Sequence, residues 1–138
     1  MKKERRFLDS KLLIYTDDHD APTKQTKALE LFGELRTTNQ GVISTQVLQE
    51  YFVVVTRKLA VPPDIARRKV QLFANLNLIQ IDLNMILAAI DLHRLHQLSF
   101  WNALIIRSAL SGGCSSLLTE DLQHGQHIEG LEIINPFL

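Results

Sequence analysis

Acidic side chains stand where several short apolar stretches of this sequence end. Asp9 closes one stretch and Glu120–Asp121 close another, while Glu50 lies early in a segment with helical spacing. Carboxylates that gather without nearby cations repel one another, and the usual remedy is a hard divalent cation such as Mg²⁺ or Mn²⁺. Such an ion activates water and neutralises a phosphodiester in an in-line displacement. If the fold brings these acids together, they indicate a metal-dependent nuclease.

A lone amide, Asn102, interrupts the apolar stretch "SFWNALIIRSAL" three residues after Ser99. Ser99 predicts a helix N-cap, so Asn102 falls in the first turn of that helix. One interpretation is that Asn102 satisfies backbone groups of that turn. The other places Asn102 on the rim of a site. The acids also have a purely structural interpretation: each can be an independent turn former, loop residue or exposed helix residue, since acids are common at such positions.

The spacing of apolar residues predicts the elements that position these side chains. Helices are expected over 24–36, 46–59 and 85–96, and two more are expected after "VPPD" and after Ser99. Ser44 or Thr45 is expected to cap the helix over 46–59, and Asn84 the helix over 85–96. The stripe after "VPPD" is expected to contain Ile65, Leu72, Phe73 and Leu76. Strands are expected at "RFLD", "VIS", "LIQIDL", "SSLLTED" and "LEIINPF", with Ile79, Ile81 and Leu83 of the third facing inward.

Strands that alternate with helices predict parallel pairing, with helices on both faces of the sheet. Sites in such sheets lie outside the carboxyl ends of the strands. The acids and Asn102 are therefore expected to converge on one edge of the sheet. The rim of this site is expected to include Ser10, Lys11, Ser44 and Thr119.

Length and composition bound the class of protein. The 138 residues predict a single domain over 1–138, and 46% hydrophobic with 22% charged residues is ordinary for a globular chain. No apolar run reaches the ~20 residues of a membrane span, and the N-terminus has no signal-peptide pattern. One cysteine excludes an internal disulfide and favours the reducing cytoplasm. The net charge is zero, but basic runs at "KKERR", "RK" and "RRK" precede an acidic C-terminal part. This asymmetry is compatible with a basic flank along a polyanion beside an acidic metal-holding centre, and equally with a set of solvated helix faces.

Five stretches together resemble one known family: "FLDSKLLIY", "GVISTQVLQEYFVVVTRKL", "SFWNALIIRSAL", "LLTEDLQHG" and "IINPF". In this order they look like the PIN-domain family, and closely like its VapC-type toxin branch, over essentially the whole chain. The resemblance implies a three-layer α/β/α sandwich around a mostly parallel sheet of 4–5 strands. It also implies a Mg²⁺- or Mn²⁺-dependent endoribonuclease that forms a homodimer and is held by a cognate antitoxin.

The resemblance carries over residue by residue, with two departures. Asp9, Glu50 and Asp121 match acids of the family's catalytic and metal site, and Glu120 beside Asp121 is a further candidate ligand. Ser10 is a fair replacement for the family's Thr. The departures are Lys11, which stands where the family has Asn, and Asn102, which stands where it has the Asp of a Trp-Asp-Ala stretch.

Both departures make the expected site less negative, since three acids and one ammonium replace four acids. Two function classes follow from this change. The first is an active endoribonuclease that cleaves RNA, with Asp9, Glu50, Asn102 and Asp121 in the catalytic set. The second is a PIN-fold protein with an impaired site, which binds RNA or an antitoxin without cutting. Lys11 itself could also meet the scissile phosphate as a fixed cation.

Overall fold

The structure, a computed structural model, describes residues 4–138. Lys2 and Lys3 of the basic "KKERR" run therefore lie outside the described residues. Strands and helices alternate over most of the described chain. In chain order they are β1 Arg5–Leu8, α1 Ser10–Tyr15, α2 Pro22–Thr38, β2 Gly41–Ser44, α3 Thr45–Lys58, α4 Pro63–Phe73, β3 Asn77–Ile79, α5 Leu83–His96, α6 Phe100–Ser111, β4 Cys114–Leu118, β5 His127–Ile128 and β6 Leu131–Ile134.

One sheet with the strand order β3-β2-β1-β4-β6-β5 forms the centre of the fold. All neighbouring strands are parallel except β5 and β6, which form an antiparallel hairpin. The parallel α/β arrangement is as predicted, but the described part of the sheet has six strands rather than 4–5. The missed strand is β5, whose two residues are too few for an alternating pattern.

The helices pack in two groups, one containing α1–α4 and the other α5 and α6. Helix α6 contacts β2, β4 and β6, while α2 and α3 contact β2. Residues of both groups and of the central strands form a single apolar core. Within residues 4–138, no helix combines the length and apolar character that crossing a bilayer requires.

Polar side chains start four of the helices. Asp9 caps α1, Ser44 caps α3, Asp82 caps α5 and Ser99 caps α6, each accepting a backbone N–H from the first turn. These bonds satisfy donors that have no partner inside the helix. The predictions for Ser44 and Ser99 are confirmed. The predicted Asn84 cap is wrong, because the Asp82 carboxylate accepts from the Met85 N–H at 2.9 Å.

The same cap explains why the strand predicted at 78–83 is present but shorter, as β3 Asn77–Ile79. Strand β3 ends at Ile79, and the backbone turns into α5 at Leu83, whose side chain is largely exposed. Three apolar residues in alternation fit a strand, but they compete here with a strong N-cap that follows them directly. Ile79 and Ile81 are partly buried and pack against the core, whereas Leu83 is exposed, so the predicted inward face is wrong for Leu83.

The remaining helices were predicted with differing accuracy. The helix over 24–36 is confirmed as the longer α2, and the helix over 46–59 is confirmed as α3, shifted by one residue toward the N-terminus. The stripe predicted after "VPPD" is wrong, since α4 ends at Phe73 and buries Phe73 with Ala66, while Ile65 and Leu72 are exposed. Helix α1 was not predicted, because its six residues are too few to show helical periodicity.

A buried polar cluster holds α4 against the segment that follows α1. The Asp17 carboxylate, nearly buried, accepts a hydrogen bond from the Tyr51 hydroxyl at 2.5 Å and pairs with the Lys69 ammonium. Burial raises the pKa of Tyr51 to about 12, so its hydroxyl keeps the donated proton. Three elements are therefore joined at one carboxylate.

We predict that Lys69→Met destabilises the protein by about 1–3 kcal/mol, because a buried carboxylate loses a charged partner. Urea unfolding measures the change. Lys27→Met on exposed α2 is the matched control and should stay within about 0.5 kcal/mol of the parent. Equal stability of both variants would mean that the Asp17 cluster contributes nothing to the fold.

Candidate functional site

Asp9 is held at the carboxyl end of β1 by contacts with two other elements. Its side chain is 4% exposed. One carboxylate oxygen accepts the Ser10 N–H at 2.7 Å, and the other accepts the Thr119 hydroxyl at 2.6 Å. Ser10 opens α1 and Thr119 directly follows β4, which pairs with β1 in parallel. The Asp9 carboxylate is therefore fixed at the sheet edge that the strand order predicts.

A cavity of about 670 Å³ opens at this edge and has both acidic and apolar walls. Glu50 from α3 and Asp121 from the segment after β4 line it, together with Ser10 and Lys11 of α1. Asp9 is buried and is not among the lining residues. The structure thus brings Glu50 and Asp121 to one cavity beside the buried Asp9.

The three carboxylates interact electrostatically. Burial raises the pKa of Asp9, and the charge of Asp121 raises it further, while hydrogen bonds from Thr119 and Ser10 oppose the shift. Burial also raises the pKa of Glu50, with added contributions from the charges of Asp9 and Asp121. Each shift has desolvation as its largest cause, and repulsion between like charges adds to it.

Lys11 neutralises part of this negative charge. Its ammonium group donates to the Asp121 carboxylate at 2.7 Å, and both side chains are partly exposed. The hydrogen bond to Asp121 raises the pKa of Lys11, and the charges of Asp121 and Glu120 raise it further against partial desolvation. Lys11 therefore points toward the acids rather than away into solvent.

Glu120 belongs to a different cluster. Its two oxygens accept from the Tyr15 hydroxyl at 2.5 Å and from the Lys24 ammonium at 2.5 Å. Partial burial raises the pKa of Glu120, but the bonds from Lys24 and Tyr15 outweigh it and lower the pKa overall. Lys24 also lies over the rings of Tyr15 and Phe137. These partners bind the Glu120 carboxylate in a group separate from Asp9, Glu50 and Asp121.

Asn102 lies in the first turn of α6, where its N–H donates to the Ser99 hydroxyl at 3.1 Å. The neighbouring residue Trp101 lines the cavity, whereas Asn102 is not among the lining residues. The structure thus confirms the first-turn placement of Asn102. It does not place the Asn102 side chain on the cavity wall.

Of the predicted rim residues, Ser10 and Lys11 line the cavity, whereas Ser44 and Thr119 are buried supports. Ser44 caps α3 and so orients the helix that carries Glu50. Thr119 bonds to Asp9 and accepts the Asp121 N–H at 3.1 Å. Thr119 therefore acts on the site through the acids that it contacts, and Ser44 acts through the start of α3.

Gln46 is a site residue that was not predicted. It lies four residues before Glu50 on α3, is buried, and donates from Nε2 to the Trp101 carbonyl at 3.3 Å. Its Oε1 is buried without a hydrogen-bond partner among the described residues. The i, i+4 spacing to Glu50 is the signal that could have found it, since such residues share a helix face.

The donor set fits a divalent cation only in part. Mg²⁺ is commonly held by one or two carboxylates with retained water, and Asp9 with Glu50 can supply such a pair. Across residues 4–138, no group of three or more His, Cys, Asp or Glu side chains is arranged around a point as ligands for a metal. One oxygen of Asp121, the third acid, is bound by the Lys11 ammonium.

Comparisons with known proteins identify the class. The family model of the PIN domain matches residues 6–127, so the chain belongs to the PIN-domain family. No curated protein sequence matches the chain.

The fold is similar to those of solved toxin–antitoxin proteins. A toxin–antitoxin complex from Klebsiella pneumoniae gives a TM-score of 0.69 at 18% identity, covering 95% of this chain and 97% of that chain. A DNA-bound VapBC from Salmonella typhimurium gives 0.66 at 19% identity, with coverage of 95% and 97%. A Sarcin-Ricin loop cleaving VapC toxin from Mycobacterium tuberculosis gives 0.63 at 15% identity, with coverage of 84% and 91%. At these identities the likeness is one of fold.

We predict that Asp9→Asn changes how stability depends on pH. A carboxyl group whose pKa is raised by folding contributes stability below its unfolded pKa, and this contribution is lost as pH rises through the folded pKa. Asn keeps the cap and the contact with Thr119 but carries no charge. The free energy of unfolding should therefore fall less for Asp9→Asn than for the parent as pH rises through the acid range above the ordinary Asp pKa.

Urea unfolding at a series of pH values gives this difference. Asp64→Asn, an exposed residue in the first turn of α4, is the control and should follow the parent. A parent curve that coincides with that of Asp9→Asn would mean that the Asp9 charge is fully compensated in the fold.

Proposed function

We propose that this chain, acting as one domain, is a Mg²⁺- or Mn²⁺-dependent endoribonuclease of the toxin type with an attenuated active site. The observation that carries this proposal is the group of acids from three elements at the carboxyl edge of the sheet. Asp9, Glu50 and Asp121 lie close enough that Asp9 and Asp121 both raise the pKa of Glu50. Membership of the PIN-domain family supports the same reaction class.

The residues of the chain have separate roles in this proposal. Asp9 and Glu50 would hold the cation, which when bound supplies Lewis acidity and an activated water for attack on phosphorus. Ser10 and Thr119 fix the orientation of the Asp9 carboxylate. The buried Oε1 of Gln46 adds a neutral oxygen beside Glu50 that lacks a partner in the described residues.

In this proposal Lys11 weakens the site by adding a positive charge at Asp121. Asn102, in the first turn of α6 next to the cavity-lining Trp101, supplies no negative charge there. With Asp9, Glu50, Asp121 and Lys11 charged, the group carries −2, where four acids would carry −4. Opposite unit charges ~4 Å apart interact by about 4 kcal/mol at an effective dielectric constant near 20. Because Lys11 and Asp121 are partly exposed, solvent reduces their contribution well below that figure. Even so, we expect weaker metal binding than in a four-acid relative.

RNA is the proposed substrate, and the basic hairpin of α3 and α4 is its proposed approach. Arg57 and Lys58 lie in the last turn of α3, and Arg67 and Arg68 lie on α4. Cationic surfaces of this kind concentrate polyanions by charge alone. Lys58 also lines the acidic cavity, so the basic surface continues into the site.

An antitoxin protein is the proposed partner, by analogy with the complexes that share the fold. An apolar groove of about 600 Å³ between α3 and α4 offers a place for it, lined in part by Leu48, Phe52 and Val70. Gln49 and Val53 line both this groove and the acidic cavity. A segment in the groove would therefore reach the active site directly.

We place the protein in the reducing cytoplasm, since Cys114 is a free cysteine.

A homodimer is proposed through α5. This helix exposes Leu83, Leu87, Ile90 and Leu95, more large apolar side chains than any other described helix. The first three follow i, i+4, i+7 spacing, so they lie on one face. Contiguous exposed apolar surface of this kind marks interaction sites.

The alternative function is an RNA- or antitoxin-binding module that does not cut. The observation that favours it is the Lys11–Asp121 ion pair at 2.7 Å, which satisfies one of the acids without a metal. Cleavage activity of the purified protein separates the two functions.

We predict that Lys11→Asn combined with Asn102→Asp strengthens Mn²⁺ binding by at least about tenfold and raises RNA cleavage with it. Each single change should recover less, because groups that serve one metal are coupled. Calorimetric titration with Mn²⁺ and cleavage of a structured RNA pool are the two measurements. Asp9→Ala in the double variant should abolish cleavage.

Glu120→Gln is the matched control, because Glu120 is bound by Tyr15 and Lys24 outside the proposed ligand set. It should leave Mn²⁺ affinity within about twofold of the parent. An unmodified chain that already cuts as fast as the double variant would contradict the charge argument.

We predict that Leu87→Lys lowers the molar mass measured by light scattering from that of a dimer to that of a monomer. The reason is that burying an unpaired charge at the centre of the apolar face of α5 costs a large desolvation free energy. Leu29→Lys, at an equally exposed position on α2, should leave the dimer intact. A dimer that survives Leu87→Lys would exclude this face as the interface.

A further inference from the structure

Trp101, the single tryptophan of the chain, is a large apolar side chain left open to solvent at the active-site cavity. The side chain is 62% exposed and lines the cavity that contains Glu50 and Asp121. From the sequence, packing in the core or at a dimer interface is expected for Trp101 more often than base stacking. A ring this exposed is not packed in the core, and the homodimer face proposed above consists of α5 residues. Tryptophan is enriched at binding interfaces, because its ring offers a large apolar face together with a polar N–H.

Neighbouring residues fix the position of Trp101. Its carbonyl accepts a hydrogen bond from Gln46 Nε2 at 3.3 Å, which ties the first turn of α6 to α3 beside Glu50. The Phe100 ring meets the indole edge to face, with centroids 5.1 Å apart and planes 74° apart. The indole is therefore positioned beside the acids before any ligand arrives.

The rest of the cavity has two kinds of surface. Lys11, Glu50 and Asp121 form a charged part, while Ile14, Val54 and Leu59 add apolar wall. Lys58 also lines the cavity, eight residues along α3 from Glu50 and thus about 12 Å further along the helix axis. A nucleotide combines the same two features, an anionic phosphate and a flat apolar base.

We propose that Trp101 is a stacking platform for an unpaired base of the RNA substrate, an inference that rests on the proposed endoribonuclease function. The phosphate next to that base lies over the acids and Lys11, and the strand continues toward Lys58. A base inside a duplex has both faces covered by its neighbours, so only an unpaired base can stack on the indole. The site therefore selects single strands and loops.

The fluorescence of Trp101 tests this inference directly, because no other tryptophan contributes to the signal. A short oligoadenylate RNA is titrated into the unmodified protein with Mg²⁺ present, and a gel checks that the strand stays intact. Stacking should quench or shift the emission. A strand of equal length with abasic sugars should bind more weakly and leave the emission unchanged.

Variants then measure the contribution of the ring, with affinity read from the anisotropy of a labelled strand. Trp101→Ala should weaken oligoadenylate binding by about five- to 150-fold, the range typical of one stacked base. Trp101→Phe keeps an aromatic face and should retain most of the affinity. Phe52→Ala, a half-exposed aromatic residue in the groove between α3 and α4, should leave affinity unchanged.

The outcomes separate this inference from the proposed function. RNA binding that neither alters Trp101 emission nor weakens in Trp101→Ala would overturn the stacking role and leave the endoribonuclease proposal standing. The same holds if the abasic strand binds as tightly as oligoadenylate. Absence of both RNA binding and cleavage, in the parent and in the Lys11→Asn/Asn102→Asp variant, would overturn both.

Discussion

The Asp9 carboxylate is the contact on which the geometry of the site depends. It caps α1 through the Ser10 N–H and accepts the Thr119 hydroxyl just beyond β4, so one buried side chain joins two strand ends and a helix start. The cost of burying this carboxylate is offset only in part by those bonds, and its pKa is raised. A buried carboxylate of this kind contributes little to the stability of the fold, but it is well oriented to bind a ligand. The parallel pairing of β1 with β4 places it where other acids can reach it.

Two side chains decide how much negative charge collects around Asp9. Lys11 follows Asp9 by two residues, yet its ammonium group reaches across to Asp121, 110 residues away in sequence. Glu120, the immediate neighbour of Asp121, is bound by Lys24 and Tyr15. Adjacent carboxylates are thus directed to different cations. Within the described residues, Asp9 and Glu50 are left as the pair without a cation bound to either carboxylate, and this is the pair that we propose for the metal.

The sequence predicted those features that arise from local patterns. The main helices, the parallel sheet and the Ser44 and Ser99 caps follow from periodicity and capping chemistry. The convergence of the acids follows from the strand ends before Asp9 and Asp121 and from the position of Glu50 early in the helix after β2. Features that depend on distant partners could not be predicted. The cluster at Asp17 joins residues of three elements, and the partners of Glu120 lie 96 and 105 residues before it. The exposure of Trp101 could not be predicted either, because a continuous apolar stretch does not indicate which of its side chains remains exposed to solvent in the fold.

We propose that Asp9 and Glu50 attract a divalent cation while Lys11 keeps Asp121 out of the coordination shell. Anomalous diffraction from a crystal of the unmodified protein, soaked in a high concentration of Mn²⁺, would locate the ion. We expect one weakly occupied manganese site between Asp9 and Glu50, completed by water, with the Lys11–Asp121 ion pair intact. Manganese bound by Glu120 and Asp121 away from Asp9, or a fully occupied site that includes Asp121, would contradict this proposal.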